Sequence, residues 1–269
     1  MNPSEAILSD EQIQRYWSDG FVYGVPVLTT KQMEIARKKL VEMERKEVET
    51  DPERWADPDY QPWMKSGSPW WHWFQGMVRN PSIIGAVKAL LGPNILVRNA
   101  DIFVKPVGSE ETIQWHADTA SRDPSSDKML TAWIAISDST WKNGCMEWLV
   151  GSHRKALPPE VQDKHSLSYG RNSVKKIKSD PRQPNILIPG EMSIHHFRTI
   201  HRSRYNRTFN PRIGLVIRFM ATDTPLEVAE SGKGTLVAGS NIPGHFKVEP
   251  CFHVSWRRSS QVQLASLAK

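Results

Sequence analysis

The sequence predicts a mainly β fold, an antiparallel sandwich or barrel with helices packed on one outer face. Three observations point there. Helical periodicity is confined to the residues before Gly92, beyond which the apolar pattern changes to alternation. The candidate strands then follow one another without intervening helices, which argues against a doubly wound parallel sheet.

Ser9 followed by Gln12 forms a capping-box pattern that opens a short helix through Tyr16 and Trp17, and Asp19-Gly20 closes it. The apolar FVYGVPVL stretch that follows reads as a strand. From Thr30 to about Glu49, Met33, Ala36, Leu40 and Met43 recur at helical spacing with charges between them, as in an amphipathic helix lying on a sheet. Residues 51–74 are rich in Pro, Asp and tryptophan (Trp55, Trp63, Trp70, Trp71 and Trp73) and read as a loop, either plugging the barrel mouth or forming a lid over a substrate. Asn80 as N-cap, Pro81 at the first helical position and Gly92 past the last turn bracket a helix over Ser82 to Leu91. Candidate strands then lie at 95–105, 112–118, 130–138, 145–149, 185–188, 192–196 and 212–220.

One elaborated domain accounts for all 269 residues: a helical and loop part to about 94, a β core over about 95–220 and a C-terminal extension over about 221–269. Hydrophobic and charged fractions of 39% and 24% are those of a folded, soluble chain. No stretch approaches the roughly 18 apolar residues that span a bilayer, and the N-terminus lacks the pattern of a signal peptide, so a cytoplasmic location is expected. Cys145 and Cys251 are too few and too far apart for a disulfide framework or a zinc cluster, and are read as reduced and structural. The net charge of +6 comes from 35 basic residues interleaved with 29 acidic ones, and the densest tract, Lys175-Lys176-Ile177-Lys178, reads as a solvated loop. Nucleic acid is therefore not an expected partner, while an anionic small molecule suits the balance.

The chemistry sits in Gln114-Trp115-His116-Ala117-Asp118. On an extended strand residues two apart share a face, so His116 and Asp118 are able to ligate one metal ion. Two histidines and one carboxylate on one side of iron(II) leave positions for a co-substrate and dioxygen, so the pattern calls for a second, distant histidine. Segment 190–220 offers His195, His196 and His201, any of which closes the set by charge and size. A strand follows in which Arg212, Gly214, Val216 and Arg218 share one face while Ile213, Leu215, Ile217 and Phe219 share the other. An arginine on the inner face of a barrel calls for an anion.

These residues resemble the phytanoyl-CoA dioxygenase family of iron(II)/2-oxoglutarate-dependent oxygenases. The resemblance runs through LSDEQIQRYWSDGF, FVKPVGSEETIQWHAD, WIAISD, NGCMEWLVGSHR and the spacing of His201, Ser203 and Arg212. It implies a double-stranded β-helix, or jelly-roll, core with the N-terminal helices on one face. It implies that His116, Asp118 and His201 bind iron, and that Arg212, helped by Ser203, pairs with the far carboxylate of 2-oxoglutarate. Lys105 and Trp133 are further candidates for the co-substrate pocket, Trp133 being as readily a core residue. The implied activity is oxidation of an unactivated carbon of a natural-product or lipid-derived small molecule, using dioxygen and releasing succinate and carbon dioxide. Hydroxylation is the default, with desaturation, epoxidation or cyclisation as variants. Asp118 argues against an iron halogenase, in which a small residue replaces the carboxylate.

Arg202 stands where the family commonly has glycine, and is expected either to alter the pocket rim or to reach an anionic substrate. His195 is read as a core histidine or as a contact to the ligands or substrate. Asn143-Gly144 and Gly151-Ser152-His153 read as turns of the fold. Two other readings stand beside the oxygenase: a cupin-type metalloenzyme that does not use 2-oxoglutarate, and a silent binding protein of the same fold.

Overall fold

A computed structural model describes residues 8–50, 69–118, 127–155, 160–161, 173–174, 181–226, 232–250 and 253–257. Trp55, Trp63, the Lys175–Lys178 tract and Cys251 lie outside the described residues. The chain opens with helix α1 (Asp10–Asp19), strand β1 (Phe21–Pro26) and helices α2 (Thr30–Thr50), α3 (Pro69–Val78) and α4 (Pro81–Leu91). Among the described residues thirteen strands follow: β2 (Ile95–Lys105), β3 (Ile113–His116), β4 (Met129–Ala135), β5 (Met146–Leu149), β6 (Glu160–Val161), β7 (Ser173–Val174), β8 (Arg182–Pro184), β9 (Glu191–His196), β10 (His201–Ser203), β11 (Arg212–Ala221), β12 (Lys233–Ala238), β13 (Lys247–Val248) and β14 (His253–Arg257).

Local chemistry sets the helix ends. The Ser9 hydroxyl accepts from the Gln12 N–H while the Gln12 side chain accepts from the Ser9 N–H, satisfying two donors that a helix start leaves open. Gly20 ends α1 at φ 92°, and a Cβ there would run into His153 and Thr199, so both conformation and space require glycine. Asn80 accepts from the Ser82 N–H and Pro81 takes the first position of α4.

The strands form a larger sheet in the order β1-β9-β4-β11-β2-β12-β13, with β14 also on β2, and a smaller sheet in the order β3-β10-β5-β8. The two make a jelly roll. Alternation along β11 divides the interior. Ile213, Leu215, Ile217 and Phe219 belong to one apolar core with Met33, Leu40, Phe74, Ile83 and Val87 of the helices. The other face looks toward the smaller sheet, where Val216 and Trp133 pack with Phe21, Met146 and Trp148. One irregularity interrupts the β2–β11 ladder: Arg218 pairs with Asn99 and Phe219 with Val97, leaving Arg98 as the extra residue of a bulge.

Two expectations need correction. Residues 69–74 are not loop: Trp70, Trp71 and Trp73 lie on α3, with Trp70 buried in the helical core and flanked by Lys39 and Lys46. An amphipathic helix of closely spaced aromatics has the same composition as an aromatic loop, which hid it. The segment 185–188 makes only an isolated bridge, Ser139 to Leu187, and the pairing strand is β8, just before it. The two- and three-residue β6, β7, β8, β10 and β13 are too short for alternation to register, and β12 and β14 fall in the stretch read as a C-terminal extension.

Candidate metal centre

His116 ends β3, and its register partner on β10 is His201, so antiparallel pairing alone brings the two imidazoles together with ring centroids 4.2 Å apart. Asp118 follows in the bend after β3, where its backbone N–H donates to the Phe197 carbonyl at 3.1 Å. His116, Asp118 and His201 each offer one ligand atom, and the three atoms lie within 4.8 Å of one another. All three residues are buried.

The histidines are held alike. Each Nδ1 bonds the carbonyl two residues upstream, Gln114 at 2.8 Å for His116 and Thr199 at 3.0 Å for His201. A carbonyl only accepts, so Nδ1 carries the proton and Nε2 presents the lone pair. Burial first, then the neighbouring His116 and His201's other neighbour His195, holds the His201 imidazole well below its ordinary value, which keeps it neutral and able to ligate.

Asp118 Oδ2 accepts from Thr131 Oγ1 at 2.6 Å and from His195 Nε2 at 3.0 Å. Arg218 pairs with Asp101 and brings a second guanidinium nitrogen to 3.8 Å from Asp118 Oδ1. Burial works against the Arg218 charge, but the carboxylates of Asp101 and Asp118 outweigh it and raise its value.

Beside this cluster the same inner face carries Arg212 and Lys105, register partners on β11 and β2. The Lys105 amine donates to Ser203 Oγ at 3.0 Å, to the Glu111 carbonyl at 3.1 Å and to the Arg204 carbonyl. Burial, with the Arg212 charge second, pushes that amine down to about 6. Arg212 is 2% exposed, donates to the Gly144 carbonyl, lies 5.6 Å from the Trp133 ring and has a buried Nε with no partner. Burial pushes the Arg212 guanidinium down to about 10. A guanidinium and an amine buried this closely together cannot both carry charge cheaply without an anion to share.

The expected residues therefore converge. His116, Asp118, His201, Ser203, Arg212 and Trp133 line one cleft, with Lys105 bonded to Ser203 at its end. His196 does not join them: on β9 it points away from His195, bonding Asp127 at 3.0 Å beneath α1. Arg202 lines the same cleft at its rim, as one of the two expectations had it, but its guanidinium is already engaged. It alternates with His201 and Ser203 on β10, so its guanidinium turns to the opposite face, where it pairs with buried Glu147 at 2.9 Å and packs 4.5 Å from the Trp115 ring. Thr131, Asp101 and the role of Arg218 were not anticipated. Their signal was available: each is a polar residue interrupting an apolar strand on its inward parity.

Residues 16–214 match the family described as phytanoyl-CoA dioxygenase (PhyH). A probable alpha-ketoglutarate-dependent hypophosphite dioxygenase of Stutzerimonas stutzeri is 32% identical over 155 residues, 55% of this chain and 52% of that protein. The human peroxisomal phytanoyl-CoA dioxygenase is 26% identical over 53% of this chain and 44% of its own length. The chain thus spans about half the length of the curated relatives it matches. Among solved structures, the apo form of the non-heme monooxygenase ThoJ superposes with a TM-score of 0.70 at 25% identity, covering 96% of this chain and 92% of that one. The non-heme alpha-ketoglutarate-dependent carbocyclase SnoK of nogalamycin biosynthesis shares the fold, with a TM-score of 0.61 at 23% identity over 83% of this chain and 88% of that one.

Proposed function

The chain belongs to the phytanoyl-CoA dioxygenase family, and on that premise we propose that it is an iron(II)- and 2-oxoglutarate-dependent oxygenase that hydroxylates an unactivated carbon of a small molecule. The observation that carries this reading is the meeting in one cleft of a two-histidine, one-carboxylate donor set with a buried arginine and lysine. His116, Asp118 and His201 would hold the iron. Two neutral imidazoles and a carboxylate are the donor types and number that leave iron(II) open on its far side. When bound there, iron and 2-oxoglutarate turn dioxygen into the oxidant while the co-substrate goes to succinate and carbon dioxide.

The chain's own part is to bind and orient. Arg212 presents a planar guanidinium to the far carboxylate of 2-oxoglutarate, and the Ser203 hydroxyl adds a hydrogen bond. Lys105 completes the pocket: an incoming carboxylate adds negative charge against the burial and the Arg212 charge that lower the amine, favouring its protonated form. Trp133 walls the pocket against water. Phe103, Ile113, Met146 and Val216 line the same cleft and suit an apolar stretch of a natural-product or lipid-derived substrate. Among the described residues no helix is long and apolar enough to cross a membrane.

Thermal unfolding of the anaerobic protein tests the reading. Iron(II) should raise the melting temperature, and 2-oxoglutarate should raise it further only when the metal is present. At about 100 times Kd the second increment corresponds to about 2.7 kcal/mol, and it should vanish in Arg212→Met. An increment from 2-oxoglutarate without metal, or none with it, contradicts the assignment.

A further inference from the structure

Arg218, Thr131 and His195 are successive register partners across β11, β4 and β9, so they form one row on the inner face of the larger sheet. Asp118 comes from the opposite wall, from the bend after β3 in the smaller sheet. All three members of the row reach it. Thr131 and His195 both donate to the same oxygen, Oδ2, at 2.6 and 3.0 Å, whereas Arg218 stands 3.8 Å from Oδ1 and is anchored by Asp101. His195 makes this contact from a deeply buried position and its Nδ1 has no partner, so the imidazole has one bond to make and makes it to the carboxylate.

We propose that Thr131 and His195 are positioning residues that confine Asp118 to binding the metal through one oxygen. The inference rests on the iron reading above. A carboxylate oxygen that accepts two hydrogen bonds has both lone pairs engaged and is the poorer metal donor of the pair. Oδ1 is then the atom turned to the metal. A carboxylate left to itself binds through one oxygen or both, and binding through both would take a coordination position that 2-oxoglutarate or dioxygen needs. The two donors sit on different strands of the same sheet, so the carboxylate plane is fixed by two points that the backbone ladder holds in register. His195 is thereby neither a ligand nor a bystander of the core.

The test uses cobalt(II) in place of iron, with separate titrations for cobalt and for 2-oxoglutarate on the cobalt-loaded protein. Thr131→Val is isosteric and removes one donor; His195→Leu removes the other; Thr131→Ser and His195→Gln keep a donor at each place. Loss of either donor should weaken 2-oxoglutarate binding by more than it weakens cobalt binding, and should alter the cobalt visible spectrum before 2-oxoglutarate is added. Thr131→Ser and His195→Gln should stay near the parent on all three readouts. Equal losses for cobalt and 2-oxoglutarate, or parent-like affinities in both Thr131→Val and His195→Leu, would overturn the proposal while leaving the metal site standing. Failure of the parent protein itself to bind cobalt would overturn both.

Discussion

Gly214→Ala is the smallest change expected to close the co-substrate pocket. Gly214 lies on the inner face of β11 between Arg212 and Val216, and a Cβ there would sit inside the Trp133 indole, against Cζ2, Cε2 and Nε1. Trp133 is 3% exposed and packed with Met146, Trp148 and Val216, so it has no free direction in which to swing. Overpacking of this kind costs about 2 kcal/mol, which for a chain of this size lowers the melting temperature by roughly 5 °C. The displaced ring also shifts against Arg212, now 5.6 Å away, so 2-oxoglutarate affinity should fall at least tenfold. Scanning calorimetry and titration of the metal-loaded protein measure the two effects. Gly76→Ala serves as control: its Cβ would meet nothing, it lies in α3, and alanine there should be neutral or stabilising by up to about 1 kcal/mol. A Gly214→Ala protein with parent melting temperature and parent affinity would refute the packing argument.

Arg202→Ala should lower stability by about 1 to 3 kcal/mol, because it strips one partner from buried Glu147, yet leave 2-oxoglutarate affinity within about twofold; denaturant titration and ligand titration separate the two. Lys105 gives a pH signature. Its folded value of about 6 lies below its ordinary 10.5, so between those limits the unfolded chain binds the extra proton and stability rises with pH. Lys105→Met should flatten that rise, read as the difference in melting temperature between parent and variant at pH 6.5 and pH 9. Ser9→Ala should cost about 1 kcal/mol through loss of the capping box, visible as a lower denaturation midpoint with no change in ligand binding.

The parts of this fold that were legible in the sequence are those in which one local rule acts over many residues. The capping box of α1, the Asn-Pro start of α4 and the alternation of β2 and β11 each repeat a signal often enough to fix an element within a residue or two. That His116, Asp118 and His201 come together was legible because His116 and Asp118 share a short motif and the spacing from His201 to Arg212 resembles the family's. The second layer around Asp118 was not. Thr131 and His195 meet it only because β4 and β9 pair in one register, and pairing is a property of the sheet that neither strand carries alone. Arg202 lines the rim of the cleft, but what its guanidinium does was hidden for a related reason. A residue next to His201 in sequence alternates with it on the strand, so the Arg202 guanidinium is taken by Glu147.

The most direct test is anaerobic titration of the metal-free protein with iron(II) and 2-oxoglutarate, followed by visible absorption. The expected result is a metal-to-ligand charge-transfer band that needs both additions, is abolished in Asp118→Ala and weakens in Arg212→Met. Tight iron binding with no band at saturating 2-oxoglutarate would contradict it and favour a metalloenzyme of this fold that works without the co-substrate.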